Sequence, residues 1–208
     1  DEGSESRTSA ALTLGWYQVL GANTHAELGL TLSDQSGFLE TPYNAVVQED
    51  PSYAANPNLA NGAQGLEFTE ELPDGRTRTA LFGKVRHALG QQDALELGLR
   101  LYDDDWGVAA WDVTPRWIHE FDAGLLMDLS YRYYTQDAAD YWSDSFTGTG
   151  PLPEFRTQDS DLGEFDSNLF GAHWRWGSRR QWDFGLNHLL RSDGLDHTFF
   201  SIGWTTNS

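Results

Sequence analysis

The segment Leu125–Thr135 constrains this chain more than any other. Its odd positions Leu125, Met127, Leu129, Tyr131 and Tyr133 are apolar or aromatic, and its even positions Asp128, Ser130, Arg132 and Tyr134 are polar or amphipathic. Successive strand side chains point to opposite faces, so one β-strand here carries an oily face and a face with charges of both signs. A soluble protein buries the oily face. A transmembrane barrel turns it to lipid and keeps a polar, ion-paired interior.

The pattern recurs. Nine strands are expected, at Arg7–Leu20, Thr24–Phe38, Gly75–Leu89, Ala94–Tyr102, Trp106–Phe121, Gly124–Gln136, Asn168–Trp176, Gln181–Leu190 and Thr198–Thr206. The second sets Ala26, Leu28, Leu30 and Leu32 against Glu27, Gly29, Thr31 and Ser33. The fourth sets Leu95, Leu97, Leu99 and Leu101 against Glu96, Gly98, Arg100 and Tyr102. The third is weaker, because Phe82 falls on its charged face. No helical period competes at length, and no apolar run approaches the ~20 residues of a membrane helix. Twenty-one glycines, 28 aromatics and one methionine complete a β-type inventory. With no cysteine, disulfide frameworks and thiolate metal sites are excluded.

The connections sort by length. Gly21-Ala22-Asn23, Gly90-Gln91-Gln92-Asp93, Asp122-Ala123 and Gly177-Ser178-Arg179-Arg180 are tight turns. The alternate set holds the long connections Leu39–Asp74 and Asp137–Ser167, with Asp103-Asp104-Asp105 and Ser192–His197. Short turns at one end and long loops at the other is the outer-membrane barrel pattern, short turns periplasmic. With the last strand descending to the periplasm, the first descends too and the strand count is odd. Bacterial barrels are normally even. The expected architecture is therefore an all-β, antiparallel, up-and-down transmembrane barrel, a single domain over residues 1–208. About nine of its strands lie in this chain, as the C-terminal part of a larger barrel. Arg7–Leu20 then pairs with an upstream strand or leaves an unpaired edge.

Charge follows the same division. The polar faces carry Arg78, Lys84, Arg86, Arg100, Arg116, Arg132 and Arg175 against Glu27, Glu96, Asp112, Glu120, Asp128 and Asp183, nearly neutral in sum. Charges held out of bulk water need partners, so an ion-paired lumen is expected, with at least one direct pair among Glu96, Arg100, Asp128 and Arg132. The net charge of −19 then resides in the long connections. It argues against nucleic acid, whose phosphates need a basic surface. Those connections read as solvated loops. Asp103, Asp104, Asp105, Asp159 and Asp161 offer oxygen ligands for a surface Ca²⁺ but lack the full spacing of a Ca²⁺ loop. Trp16, Trp117, Phe121 and Trp182 near the short turns, and Tyr131, Tyr133 and Trp111 nearer the long loops, fit two interfacial belts.

The six histidines, His25, His87, His119, His173, His188 and His197, follow no metal-ligand spacing, and no serine lies in a nucleophile-elbow context. No enzymatic activity and no cofactor are expected. Several segments resemble an uncharacterised family of Gram-negative outer-membrane barrels, catalogued as domain of unknown function 3570. The resemblance lies in Arg7-Thr8 through Gln18-Val19-Leu20-Gly21, Ser36-Gly37-Phe38-Leu39 with Pro42-Tyr43, and Leu72-Pro73-Asp74-Gly75-Arg76-Thr77-Arg78. Its most specific parts are Tyr102-Asp103-Asp104-Asp105-Trp106-Gly107-Val108 and Tyr131-Arg132-Tyr133-Tyr134-Thr135-Gln136-Asp137-Ala138-Ala139-Asp140-Tyr141. The resemblance implies location and architecture, with further strands upstream, and supplies no activity. Barrels of this kind usually end on an aromatic residue, whereas this chain ends Gly203-Trp204-Thr205-Thr206-Asn207-Ser208.

The functional expectation is a non-enzymatic barrel in the bacterial outer membrane, a narrow pore or an anchor in an envelope assembly. Outer-membrane lipid and other envelope proteins would be its partners. The competing readings are a soluble, secreted all-β module stacking glycans on Trp and Tyr, and a barrel hydrolase.

Overall fold

The structure, a computed structural model, describes residues 6–41, 43–53, 64–121, 124–177 and 180–206. The expected turn Asp122-Ala123, the residues Ser178-Arg179 of another, and Pro42 lie outside them. Twelve strands run in chain order: β1 (Arg7–Gly21), β2 (Thr24–Gly37), β3 (Ala45–Glu49), β4 (Gly65–Thr69), β5 (Gly75–Ala88), β6 (Asp93–Asp104), β7 (Ala109–Phe121), β8 (Leu125–Gln136), β9 (Phe146–Thr147), β10 (Phe165–Trp176), β11 (Arg180–Arg191) and β12 (Asp196–Thr206). Nine form one antiparallel sheet in the order β1-β2-β5-β6-β7-β8-β10-β11-β12, an up-and-down meander with every neighbour next in line. These are the nine expected strands, with ends shifted by a few residues.

Among the described residues the sheet is open, because β1 and β12 do not pair with each other. The reason is parity. In a nine-strand meander the first and last strands run the same way, so closure would need a parallel pair where every other pair is antiparallel. Among the described residues the outer edge of β1 has no partner in the sheet.

The ladder climbs steadily. One row of paired residues runs Val19, His25, Arg86, Glu96, Arg116, Ser130, Gly171, Asn187 and Phe199. Val19 lies two residues from the short-turn end of β1, whereas Asn187 lies seven from that end of β11. Over seven strand steps the row rises ~17 Å across ~34 Å of sheet, a tilt on the order of 25–30°. One-way stagger of this kind lets a sheet curl.

The sheet does curl, about its polar face. A cavity of about 330 Å³ is lined by both Arg86 of β5 and Ser201 of β12. In a flat sheet, six steps at ~4.8 Å would hold these strands ~29 Å apart. The two long connections also meet across the end of the sheet. β3, from the connection after β2, pairs with β4 and runs parallel to β9, from the connection after β8. Glu71 bridges Arg156.

The long connections are therefore not the solvated loops that their acidity suggests. Among the described residues the most deeply buried side chains, Val46 and Thr157, lie in them, and Val47, Leu72, Trp106, Val108 and Ala139 are buried at the same end. Trp106, expected to open a strand, instead sits in the tight connection between β6 and β7. The Asp104 carboxylate accepts from the Trp106 and Val108 backbone N–H groups, the indole N–H donates to the Gly75 carbonyl, and Gly107 takes a φ of +88°. The outward strand faces are apolar and uncovered, as at Leu28, Leu81, Leu97, Leu99, Leu129 and Phe184.

Phe82, the residue that weakened the third strand's pattern, lies on the polar face opposite Gly29. A Cβ on Gly29 would fall inside the Phe82 ring. The ring fills the space the glycine leaves, so Gly29→Val should destabilise by about 1–3 kcal/mol through overpacking. The double variant Gly29→Val with Phe82→Ala should recover part of that in a denaturant titration. Additive losses would show that the two positions do not share this space.

Candidate functional site: the ion-paired face and the cavity beneath the folded loops

Strand register puts Glu27, Arg78, Lys84, Arg86, Glu96, Arg100, Asp112, Arg116, Asp128, Arg132, Arg175 and Asp183 on one face. Lys84 pairs with Glu27 at 2.9 Å, Arg132 with Asp112 at 3.2 Å and Arg175 with Asp183 at 2.9 Å. A relay crosses four strands: Arg86 to Glu96 at 3.1 Å, Glu96 to Arg116 at 3.9 Å, and Arg116 to Asp128 at 3.7 Å.

The expected pairing among Glu96, Arg100, Asp128 and Arg132 does not occur. β7 lies between β6 and β8, so their side chains are two strands apart, ~9–10 Å in the sheet. Each reaches instead to β7, Glu96 and Asp128 to Arg116, and Arg132 to Asp112. Arg100 faces Asp112 in register, but Arg132 holds that carboxylate. Arg78 and Arg100 are the two of the twelve without an ion pair.

Nor do the acids of the connections gather as ligands. Asp103 points to the outward side of β6. Asp104 takes Arg76 and the Tyr102 hydroxyl on one oxygen and two backbone N–H groups on the other. Asp105 accepts from the Thr77 N–H. Asp159 accepts from Asn44 and from the Asp161 N–H, and Asp161 binds Arg191 at 2.6 Å. Among the described residues no three His, Asp or Glu side chains converge as metal ligands.

Arg191 is the pivot of the β11–β12 connection. It holds Asp161 and Asp193, both at 2.6 Å, and its guanidinium lies over the Phe165 ring at 3.8 Å. Burial works to raise the Asp193 pKa, but the Arg191 hydrogen bonds and charge, with the Leu195 N–H, outweigh it and hold the carboxyl below its ordinary value. A depressed carboxylate pKa stabilises above the unfolded value of ~4, and that contribution is lost as pH falls through the folded value. Amide exchange at Leu195, whose N–H donates to Asp193, should accelerate relative to mid-strand amides below about pH 4. Asp193→Asn should remove the transition. An unchanged pH profile in that variant would place the titrating group elsewhere.

A cavity of about 400 Å³ lies between the folded connections and the polar face. Arg7, Arg76, Arg78 and Arg100 line it from β1, β5 and β6, and Tyr102 and Tyr134 stand beside them. Glu70, Asp159 and Asp161 line it from the loop side; Glu70 and Asp159 are engaged within the loop layer, and Asp161 by Arg191 at the end of β11. Glu70 accepts from Thr157 Oγ1 and the Thr41 N–H. The sequence alone does not show this site, because Arg7 and Arg76 fall outside the expected ion-paired set and the long connections read as solvated loops.

A family model described as "Protein of unknown function (DUF3570)" matches residues 1–188 of the chain. No curated protein matches it.

Proposed function

The chain belongs to the DUF3570 family, and from its geometry we propose that it forms the wall of an outer-membrane β-barrel serving as a narrow pore. In this reading the outward face meets lipid, the ion-paired face lines water, and the long connections fold over the extracellular mouth. One observation carries it. The sheet leaves its leucine- and aromatic-rich face uncovered while curling around the charged one, the reverse of a soluble core.

Three features support it. One end of the sheet carries short connections alone, as periplasmic turns do, and both long connections lie at the other, beside the four-residue β6–β7 and β11–β12 connections. Outward rings mark two levels, with Trp176, Trp182 and Trp204 adjoining at the short-turn end and Trp111 with Tyr133, and Tyr131 with Phe170, nearer the long connections. The ladder tilts in one sense throughout. The folded connections would narrow the mouth, which argues for small solutes.

Membrane extraction and conductance test this. The chain should resist carbonate washing, require detergent, migrate heat-modifiably, and give small, discrete conductance steps in a planar bilayer. A chain that stays soluble after carbonate washing would overturn the membrane assignment. An inserted chain without conductance would leave a barrel that is not a pore.

A further inference from the structure

Three of the four described cations without an ion pair, Arg7, Arg78 and Arg100, line the one cavity beneath the folded connections; the fourth, Arg180, is exposed at a short turn. In a chain of net charge −19, cations gathered in one cavity and left unpaired by its own acids, Glu70, Asp159 and Asp161, call for an account.

The acids nearest them are already occupied. Asp104 stands opposite Arg78 in register, yet its two oxygens receive donors from Arg76 (two), Tyr102, Trp106 and Val108. A carboxylate accepts about four hydrogen bonds, so Asp104 has nothing left for Arg78. Asp112 stands opposite Arg100 and is held by Arg132. Asp161 is held by Arg191. The Arg78 Nε is out of contact with solvent and without a hydrogen-bond partner, as are those of Arg86, Arg116 and Arg156, but those three guanidinium groups have a carboxylate beside them and Arg78 has no ion pair. Guanidinium groups bind planar carboxylate and tetrahedral phosphate oxygens in pairs. Tyr102, Trp106 and Tyr134 form an aromatic part of the wall beside the arginines. At about 400 Å³ the cavity admits a small solute and not a polymer.

We propose that this cavity is a binding site for a small soluble oxyanion, a carboxylate or phosphate, held by Arg78 and Arg100 with Arg7 at its rim. It rests on the pore reading in one respect: in a pore, the site stands at the extracellular mouth and selects anions entering it. The binding itself needs only the cavity.

Isothermal titration of the full chain, refolded in detergent, with inorganic phosphate and separately with succinate tests it. Saturable binding of at least one anion is expected, weakened at least ~10-fold in Arg78→Gln and in Arg100→Gln, each of which removes charge-assisted hydrogen bonds. Arg180→Gln should bind like the parent chain. Heat-modifiable migration of each variant verifies folding, and if Arg78→Gln fails it, Arg100→Gln alone decides. Absence of saturable binding by the parent chain to both anions overturns the proposal. So does equal affinity in the folded variants, or equal binding of uncharged glycerol. A chain that proves soluble yet binds the anions would lose the pore and keep the site. One that conducts but binds neither loses only the site.

Discussion

Replacing Leu97 with Arg should cost roughly 2–4 kcal/mol of folding free energy in a lipid bilayer, the penalty for a cation on the lipid face near the midplane of a membrane barrel. Leu97 lies on the outward face of β6 and is 48% exposed. Leu129, outward on β8, should behave similarly. Leu126 supplies a matched comparison three residues away. It faces the opposite side, in register with Glu120 on one strand and with Arg175, already held by Asp183, on the other, so Leu126→Arg makes the same chemical change where a counter-charge and water are at hand. Its cost should be far smaller. The comparison separates environments because a soluble chain predicts a different result. An exposed leucine in water can be replaced by arginine within about 0.5 kcal/mol, so urea titration in vesicles would then show Leu97→Arg to be silent. Equal and large losses at Leu97 and Leu126 would instead mean that both faces are packed in a protein core.

The nine long strands were legible because alternation is a local property. Leu125–Thr135 reports its two faces without knowing its neighbours. Parity also placed Glu27, Lys84, Glu96 and Asp183 on one face. What parity does not determine is partner choice. Arg116 collects Glu96 and Asp128 only because β7 lies between their strands, and the sequence offers Arg100 and Arg132 as equally good partners. The loop layer was illegible for a stronger reason. β3 is five residues without alternation and β9 only two, and their stability comes from docking between segments about a hundred residues apart. The Gln158 side chain accepts from the Val47 N–H at 2.7 Å, and Thr157 Oγ1 donates to Glu70. An acidic stretch in which Glu70 is buried by another loop looks, from composition alone, like one in which it is solvated. Asp103-Asp104-Asp105 misled in the same way. The triplet is rich in oxygen, yet its middle member organises a turn and the other two point elsewhere.

Asp104 is where a single change should do most damage. Its side chain is fully buried and that of Arg76 is 12% exposed, and they pair at 2.5 Å while the Arg76 guanidinium lies 4.3 Å from the Trp106 ring centroid. Asp104→Ala removes the acceptor for Arg76, for Tyr102, and for the two backbone N–H groups that shape the β6–β7 turn. An uncompensated buried charge alone costs about 3–5 kcal/mol. The loss should therefore reach at least that range and loosen the wall of the arginine-lined cavity. Removing both partners should be milder. Arg76→Met with Asp104→Leu leaves no stranded charge, because buried pairs replaced by apolar groups of similar volume are often near neutral. The double variant should recover most of the loss, limited by the unmet Trp106 and Val108 N–H groups. A double-mutant cycle by urea refolding checks this. If Asp104→Ala costs less than about 1 kcal/mol, the pair is effectively solvated, and water rather than protein would then surround the cations of the cavity. If the double variant is as damaged as the single one, the turn hydrogen bonds and not the ion pair hold the connection, and Asp104 acts chiefly as the organiser of Trp106–Val108.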